Sequence, residues 1–219
     1  MTDEGDREGE KRLAAEAAAE LVEEGMSVGL GTGSTARHFL VALAARTLDV
    51  RCVATSPATE RAARGLGLAV EPFDTGDSLS QLDLAVDGAD QISPELWIVK
   101  GGGGAHAREK IVAAAAERFV VIASSDKLVE RIQTPIPLEL LRYGAAATIR
   151  RLGRAERRDA PPTPDGGVLA DWLGGVGDPA ELARHLDAEP GVVEHGLFPA
   201  DLVSDVFIGR GDVVERRSR

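Results

Sequence analysis

The stretch VDGADQISPELWIVKGGGGAHAREK, Val86 to Lys110, decides how this chain is read. An apolar run, Leu82-Asp83-Leu84-Ala85-Val86, leads into it, and an Ala-rich run, Lys110 to Glu117, leads out. The pattern predicts a buried strand, a polar turn, a second strand over Leu96–Val99, a glycine turn and a helix. Four consecutive glycines, Gly101, Gly102, Gly103 and Gly104, forgo side-chain packing and carry a high entropy cost on folding. That cost is intelligible where backbone N–H groups must come close to a ligand, an anion above all. On its own the run reads equally well as a flexible loop. Asp87, Asp90, Lys100 and Glu109 around it favour an active site.

Working outward, strands and helices alternate. Lys11–Glu24 has helical apolar spacing at Leu13, Ala17 and Leu21, with Gly25 placed to end it, while residues 1–10 read as polar and frayed. Met26–Leu30 is an expected strand, Gly31-Thr32-Gly33-Ser34-Thr35 a turn and Ala36–Arg46 a helix. Val50–Ala54, Ala69–Phe73 and Phe119–Ala123 read as strands and Pro57–Leu66 as a helix. The alternation predicts an α/β domain with a largely parallel sheet. Gly33, Asp87, Lys100 and Lys127 fall just past the C-terminal ends of expected strands, the edge where open α/β sheets bind ligands. After Arg131 the character changes: a charged, Pro-rich loop over Arg154–Asp165, strands at Val168–Trp172 and Val192–Glu194, and a helix at Pro179–Leu186. We therefore expect a main domain over 1–130 plus 204–219 and a small inserted α+β domain over 131–203.

The first glycine turn, GLGTGST from Gly29 to Thr35, fits neither familiar nucleotide loop. A dinucleotide fingerprint needs a third glycine where Ser34 stands, and a Walker loop needs a Gly-Lys-Ser/Thr run. The hydroxyls of Thr32, Ser34 and Thr35, set around Gly33 before a helix, suit a single phosphate monoester. Helix capping by Ser34 or Thr35 is the alternative, and the two uses can share one loop.

Composition narrows the classes. The formal net charge is −11, the reverse of the basic footprint that nonspecific nucleic-acid binding requires. Cys52 is the only cysteine and sits in an apolar run, so no intrachain disulfide forms and a reducing compartment fits. No apolar run approaches the roughly 18 residues of a membrane span, and the charged N-terminal residues lack a signal core, so a cytoplasmic location is expected. His38, His106, His185 and His195 show no ligand-like spacing, and no metal is expected.

Taken together, these stretches resemble the A-type ribose-5-phosphate isomerases. The resemblance rests on Lys11-Arg12 and the Ala-rich helix after it, GLGTGSTA (Gly29 to Ala36), VDGAD (Val86 to Asp90) and KGGGGAHAREKIVAA (Lys100 to Ala114). It continues through FVVIASSDKLV (Phe119 to Val129), PIPLEL (Pro135 to Leu140) and PGVVEHGLF (Pro190 to Phe198). By motif it implies that Asp87 and Asp90 are the active-site aspartates, Lys100 the active-site lysine and Glu109 the proton-transferring glutamate. It also implies that Thr32, Ser34, Thr35 and Lys127, with Lys11, hold the sugar phosphate. A Rossmann-like main domain, a homodimer or homotetramer, and no cofactor are further implications. His106-Ala107 stands where the family usually has Leu-Thr, and Arg142–Asp171 follows the family pattern poorly.

The chemistry fits those residue types. Aldose–ketose interconversion moves a proton between C1 and C2 through an enediolate. One carboxylate, Glu109, can take the proton and return it. Lys100 and the N–H groups of Gly101 to Gly104 suit the developing oxyanion. Asp87 and Asp90, three residues apart in a turn, suit ring opening and the hydroxyl protons. A sugar-phosphate sensor would keep the Thr32–Thr35 loop without needing Glu109. A nicotinamide-dependent oxidoreductase lacks its third glycine.

Overall fold

A computed structural model describes residues 3–74 and 79–218. The chain begins with α1 (Asp3–Ala19), β1 (Ser27–Leu30), α2 (Ser34–Ala45), β2 (Arg51–Ala54), α3 (Pro57–Gly65), β3 (Ala69–Val70) and β4 (Leu82–Gly88). Next come β5 (Gln91–Ile92), β6 (Ile98–Val99), α4 (His106–Ala114), β7 (Ala116–Ser124), a 3-10 turn at Ser125–Lys127 and β8 (Ile136–Leu140). Then follow α5 (Ala145–Leu152), β9 (Ala155–Arg157), β10 (Val168–Trp172), α6 (Pro179–Asp187), β11 (Val192–His195) and β12 (Leu197–Phe198). A second 3-10 turn at Ala200–Leu202 precedes β13 (Asp205–Arg210) and β14 (Val213–Ser218).

Two compact units result. The first comprises Met1–Ala89, Arg108–Lys127 and Asp201–Arg219; the second comprises Asp90–Ala107 and Leu128–Ala200. The sequence reading drew the smaller domain as 131–203, whereas the second unit also takes in the segment bearing Asp90, Lys100 and the glycine run.

The first unit is the expected α/β domain. Its sheet has the order β14-β13-β7-β4-β1-β2-β3, and every neighbouring pair is parallel except β13 with β14. β4 reads buried at Leu82, Leu84, Ala85 and Val86, the near-continuous apolar run of a strand covered on both faces. Val28, Leu30, Phe39, Leu40, Leu43, Val86, Val120 and Ile122 form the core with Ala14, Ala15, Ala18 and Ala19 of α1. α3 starts sharply because Ser56 caps it, accepting from Thr59 N–H, and Pro57 occupies its first turn.

The N-terminal helix and the C-terminal strand differ most from the sequence reading, and α4 ends at Ala114 with β7 already running from Ala116. α1 starts at Asp3 rather than Lys11, so the expected frayed segment is helical; Met1 and Thr2 lie outside the described residues. Burial of Glu10 ties its middle down. The same helix ends at Ala19 rather than Glu24, where Leu21 and Val22 N–H groups turn to the carbonyls of Ala18 and Ala19. β14, a polar VVERRS strand with little apolar alternation to betray it, closes an antiparallel hairpin on β13 across Gly211-Asp212. Its Arg216 Nε and Ser218 Oγ reach the buried Asp205 carboxylate at 2.8 and 2.6 Å.

The second unit holds an antiparallel sheet of order β11-β8-β10-β9 and a three-stranded sheet of order β12-β6-β5. Ile136, Leu138, Leu140, Ala170 and Trp172 of the larger sheet pack with Leu152 of α5 and Leu182 and Leu186 of α6. β9 falls inside the stretch expected to be loop, Arg154–Asp165.

Candidate active site

In the first unit the chain enters the sheet at β1: β2 and β3 extend to one side, β4, β7, β13 and β14 to the other. Chain order reverses between β1 and β4, and the loops leaving their C-terminal ends diverge there, which opens the crevice where such sheets bind ligands. The two segments at that point are Gly31–Thr35 and Asp87-Gly88.

Asp87 is 3% exposed, and its Oδ1 accepts the Thr32 N–H at 3.1 Å and the Gly88 N–H at 2.7 Å. A Cβ on Gly31 would lie 2.1 Å from the Asp87 carboxylate, so glycine is the residue that lets the loop approach. Glu109, in the first turn of α4, is 5% exposed. Asp87 and Glu109 face the same tightly packed gap, too small to hold a water, which Gly29, Gly31, Thr55, Val112 and Phe119 also line.

The Gly31–Thr35 loop is more specialised than the sequence suggests. Gly33 is the N-cap of α2, at φ 127°, and provides no side-chain cap. The capping alternative for Ser34 or Thr35 is therefore not realised, since both follow the cap as helical residues. Thr32, Gly33 and Ser34 border a pocket of about 410 Å³ with Glu8, Arg37 and His38. Thr35 is buried. The Thr32 hydroxyl lies 2.7 Å from Thr55 Oγ1, 2.9 Å from Ser56 Oγ and 2.9 Å from Thr59 Oγ1. Thr59 Oγ1 in turn donates to the Gly31 carbonyl at 3.1 Å. This cluster of hydroxyls braces the loop, and its members Thr55, Ser56 and Thr59 went unnoticed in the sequence because they sit after a different strand.

Both expected phosphate lysines have carboxylate neighbours. Lys11 Nζ meets Glu8 at 2.5 Å, and Glu8 also lies 2.9 Å from His38 Nε2. Hydrogen bonds from Lys11, then from His38, hold the Glu8 carboxyl below its usual range. Lys127 Nζ lies 3.3 Å from Asp126. Glu10 joins the two lysine-bearing elements. It accepts Ser125 N–H at 2.9 Å, Ser125 Oγ–H at 2.8 Å and Gly211 N–H at 2.9 Å. Burial pushes the Glu10 carboxyl up, but the Gly211 and Ser125 donors outweigh it and hold the group below its ordinary value.

The second unit carries Asp90, Lys100 and the glycine run. Asp90 N–H bonds Val99 O at 2.7 Å, and Asp90 Oδ2 accepts Gly102 N–H at 2.8 Å. Lys100 is 3% exposed; its N–H bonds Gly196 O at 2.9 Å and its Nζ stands 5.8 Å from the centre of the Phe198 ring, a cation–π contact. Gly101 and Gly104 have φ of 102° and 76°, and a Cβ on either would overlap a neighbour: His106 and Pro137 for the first, Leu169 for the second. Gly104 N–H closes a turn onto Gly101 O at 3.0 Å. Arg158, absent from the sequence candidates, donates to the carbonyls of Gly101 and Gly102.

Among the described residues, Asp187, Glu194 and His195 are grouped closely enough to hold a metal ion. The hydrogen bonds argue for a structural pin instead. His195 Nδ1 accepts Leu197 N–H at 3.2 Å, which places the ring proton on Nε2, facing Asp187 Oδ1 at 3.1 Å. An ion on Nε2 would need that proton moved to Nδ1, against the Leu197 N–H.

Comparison with known proteins finds relatives over most of the chain. The family described as ribose 5-phosphate isomerase A (phosphoriboisomerase A) matches residues 51–213. Ribose-5-phosphate isomerase A of Caulobacter sp. (strain K31) is 47% identical over 215 residues, covering 91% of this chain and 93% of that protein. The crystal structure of ribose 5 phosphate isomerase A from Neisseria gonorrhoeae superposes with a TM-score of 0.89 at 32% identity, covering 95% of each chain. The ribose 5-phosphate isomerase A structure from Methanocaldococcus jannaschii gives 0.88 at 33% identity, covering 95% of this chain and 98% of that one. On the extent of these matches, the chain belongs to the ribose 5-phosphate isomerase A family.

Proposed function

We propose that this protein interconverts D-ribose 5-phosphate and D-ribulose 5-phosphate, with Glu109 moving the proton. The observation that carries the reading is that buried Asp87 and Glu109 face the same closely packed gap, which Gly31 at the start of the Gly31–Thr35 loop also lines. Glu109 removes the C2 proton of the open-chain aldose; the C–H electrons form the C1–C2 double bond of an enediolate. Proton transfer between O2 and O1 and return of the proton to C1 complete the ketose, so atoms and electrons balance without an oxidant. Gly33, Ser34 and Thr35 at the start of α2 hold the phosphate, with Lys11 and Lys127 supplying positive charge. Thr32 contributes its place in the braced loop.

Lys100 and the glycine run stabilise the developing oxyanion, and Asp87 and Asp90 serve ring opening and the hydroxyl protons. Gly102 and Gly104 N–H groups are engaged by Asp90 and Gly101, so the donors we assign to the oxyanion are those of Gly101 and Gly103. Cys52, its thiol pushed up to about 12 by burial, stays protonated and takes no part. A homodimer or homotetramer acting in the cytoplasm, in the non-oxidative pentose phosphate branch, fits this role. No helix among the described residues is long and apolar enough to cross a membrane.

The test is an isomerase assay on ribose 5-phosphate beside shorter and longer aldose phosphates, with and without EDTA. Turnover of the five-carbon substrate, unaffected by chelator, is expected. Tight sugar-phosphate binding without turnover would make the protein a sensor, and metal-restorable loss would favour a hydride shift.

A further inference from the structure

Arg158 lies far along the chain from the glycine run, yet it binds that run's backbone. Its Nη1 donates to Gly101 O at 2.9 Å and to Gly102 O at 3.2 Å. The guanidinium is itself fixed by a bidentate pair with Asp171, through Nε at 3.1 Å and through Nη2. Both partners are largely buried, each 21% exposed in its side chain. Asp171 belongs to β10, paired on both sides by β8 and β9, so the anchor is a strand inside a sheet.

The peptide group is planar and trans, so a carbonyl and the N–H that follows it point in opposite directions. Pinning Gly101 O toward Arg158 therefore sends Gly102 N–H the other way, and there Asp90 Oδ2 receives it at 2.8 Å. The same rule applied to Gly102 O sends Gly103 N–H away from the guanidinium. At Gly103 nothing lies within 4 Å of where a Cβ would stand, in contrast to Gly101, Gly102 and Gly104. Gly103 is thus an exposed glycine with no neighbour on its Cβ side, and the carbonyl preceding its N–H is held by an arginine.

We propose that Arg158 is a positioning residue for the isomerisation: by gripping the Gly101 and Gly102 carbonyls it fixes the Gly103 N–H as a preorganised donor to the enediolate oxygen. This rests on the isomerase reading above. Preorganisation is what makes such a donor effective, because a dipole already aimed needs no reorganisation as charge develops. A guanidinium is the group suited to the task. Its planar fork serves two carbonyls and one carboxylate at once, which a lysine ammonium on a flexible stem does not reproduce.

The experiment compares wild type, Arg158→Lys and Arg158→Met for kcat and KM with ribose 5-phosphate. It also measures inhibition by a phosphorylated four-carbon hydroxamate, a planar oxyanion mimic of the enediolate. A donor seen only by the transition state predicts a kcat loss of about 10²-fold in both variants, the usual size for one oxyanion donor. KM should stay within about threefold, and hydroxamate affinity should fall in step with kcat, since loss confined to the transition state leaves ground-state binding alone. Unchanged kcat in a folded Arg158→Lys protein would overturn the proposal. Equal weakening of substrate and mimic would do the same, because that is the mark of a general structural role. Should both arginine variants fail to fold, Gly103→Pro, which deletes the N–H itself, decides the question: kcat retained there also overturns it. Absence of turnover in the wild type would instead defeat the isomerase reading, so the two failures are distinguishable.

Discussion

At Gly31 a missing side chain lets the loop approach Asp87. The Asp87 carboxylate occupies the volume a methyl group would need, 2.1 Å from the ideal Cβ position. Gly31→Ala must therefore displace either the Gly31–Thr35 loop or the carboxylate. Misplacement by about 1 Å costs on the order of 10²-fold in rate, so kcat/KM should fall by about that factor while circular dichroism stays native. Wild-type kinetics would show that the close approach has no catalytic consequence. Asp87, Asp90, Lys100 and Glu109 are candidates from the sequence because 23 residues of one motif-rich stretch carry them all. Thr55, Ser56, Thr59 and Arg158 are not. Each acts through a backbone or hydroxyl brought to it by the fold, and their sequence surroundings announce only a capped helix and a charged loop.

Between elements, Glu10 is the joint. It lies on α1 beside Lys11 and accepts from Ser125, two residues before Lys127, and from Gly211 in the β13–β14 turn. Replacing it with alanine leaves those donors without their acceptor, a loss of about 1–3 kcal/mol, and frees both lysine-bearing elements. Glu10→Ala should lower the thermal midpoint and raise KM for ribose 5-phosphate more than it lowers kcat; an unchanged KM would separate the joint from phosphate binding. The same carboxylate gives a pH dependence. Its folded value lies below its unfolded one, so it stabilises the fold above the unfolded value, about 4.3, and that contribution is lost as pH falls through the folded value. Asp205 behaves alike: burial raises it, but Ser218, Arg118 and Arg216 hold it low. Thermal midpoints measured downward from pH 6 should fall steeply below about pH 4, the range in which such carboxylates protonate. A flat profile to pH 2 would contradict this. The joint itself was invisible in the sequence, where Glu10 is one acid in a charged segment that reads as frayed.

For the molecule as a whole, strand–helix alternation made the α/β class and the parallel sheet readable, because β1, β2, β4 and β7 are short apolar runs between amphipathic ones. Strand order was not readable, since it depends on which strands meet in space. That order puts the reversal between β1 and β4 and so sets the Gly31–Thr35 loop beside Asp87. Of the three-stranded sheet only β6 was expected, within Leu96–Val99; β5 and β12 are two residues each, too short for any periodicity. The central claim is that this architecture serves one proton transfer, by Glu109. Its most direct test follows deuterium from D₂O into ribose 5-phosphate with wild type and Glu109→Gln, with substrate affinity measured in parallel by calorimetry. The account predicts label at C2 with the wild type, and no detectable label but near-normal affinity with Glu109→Gln. Exchange at close to the wild-type rate in that variant would contradict it.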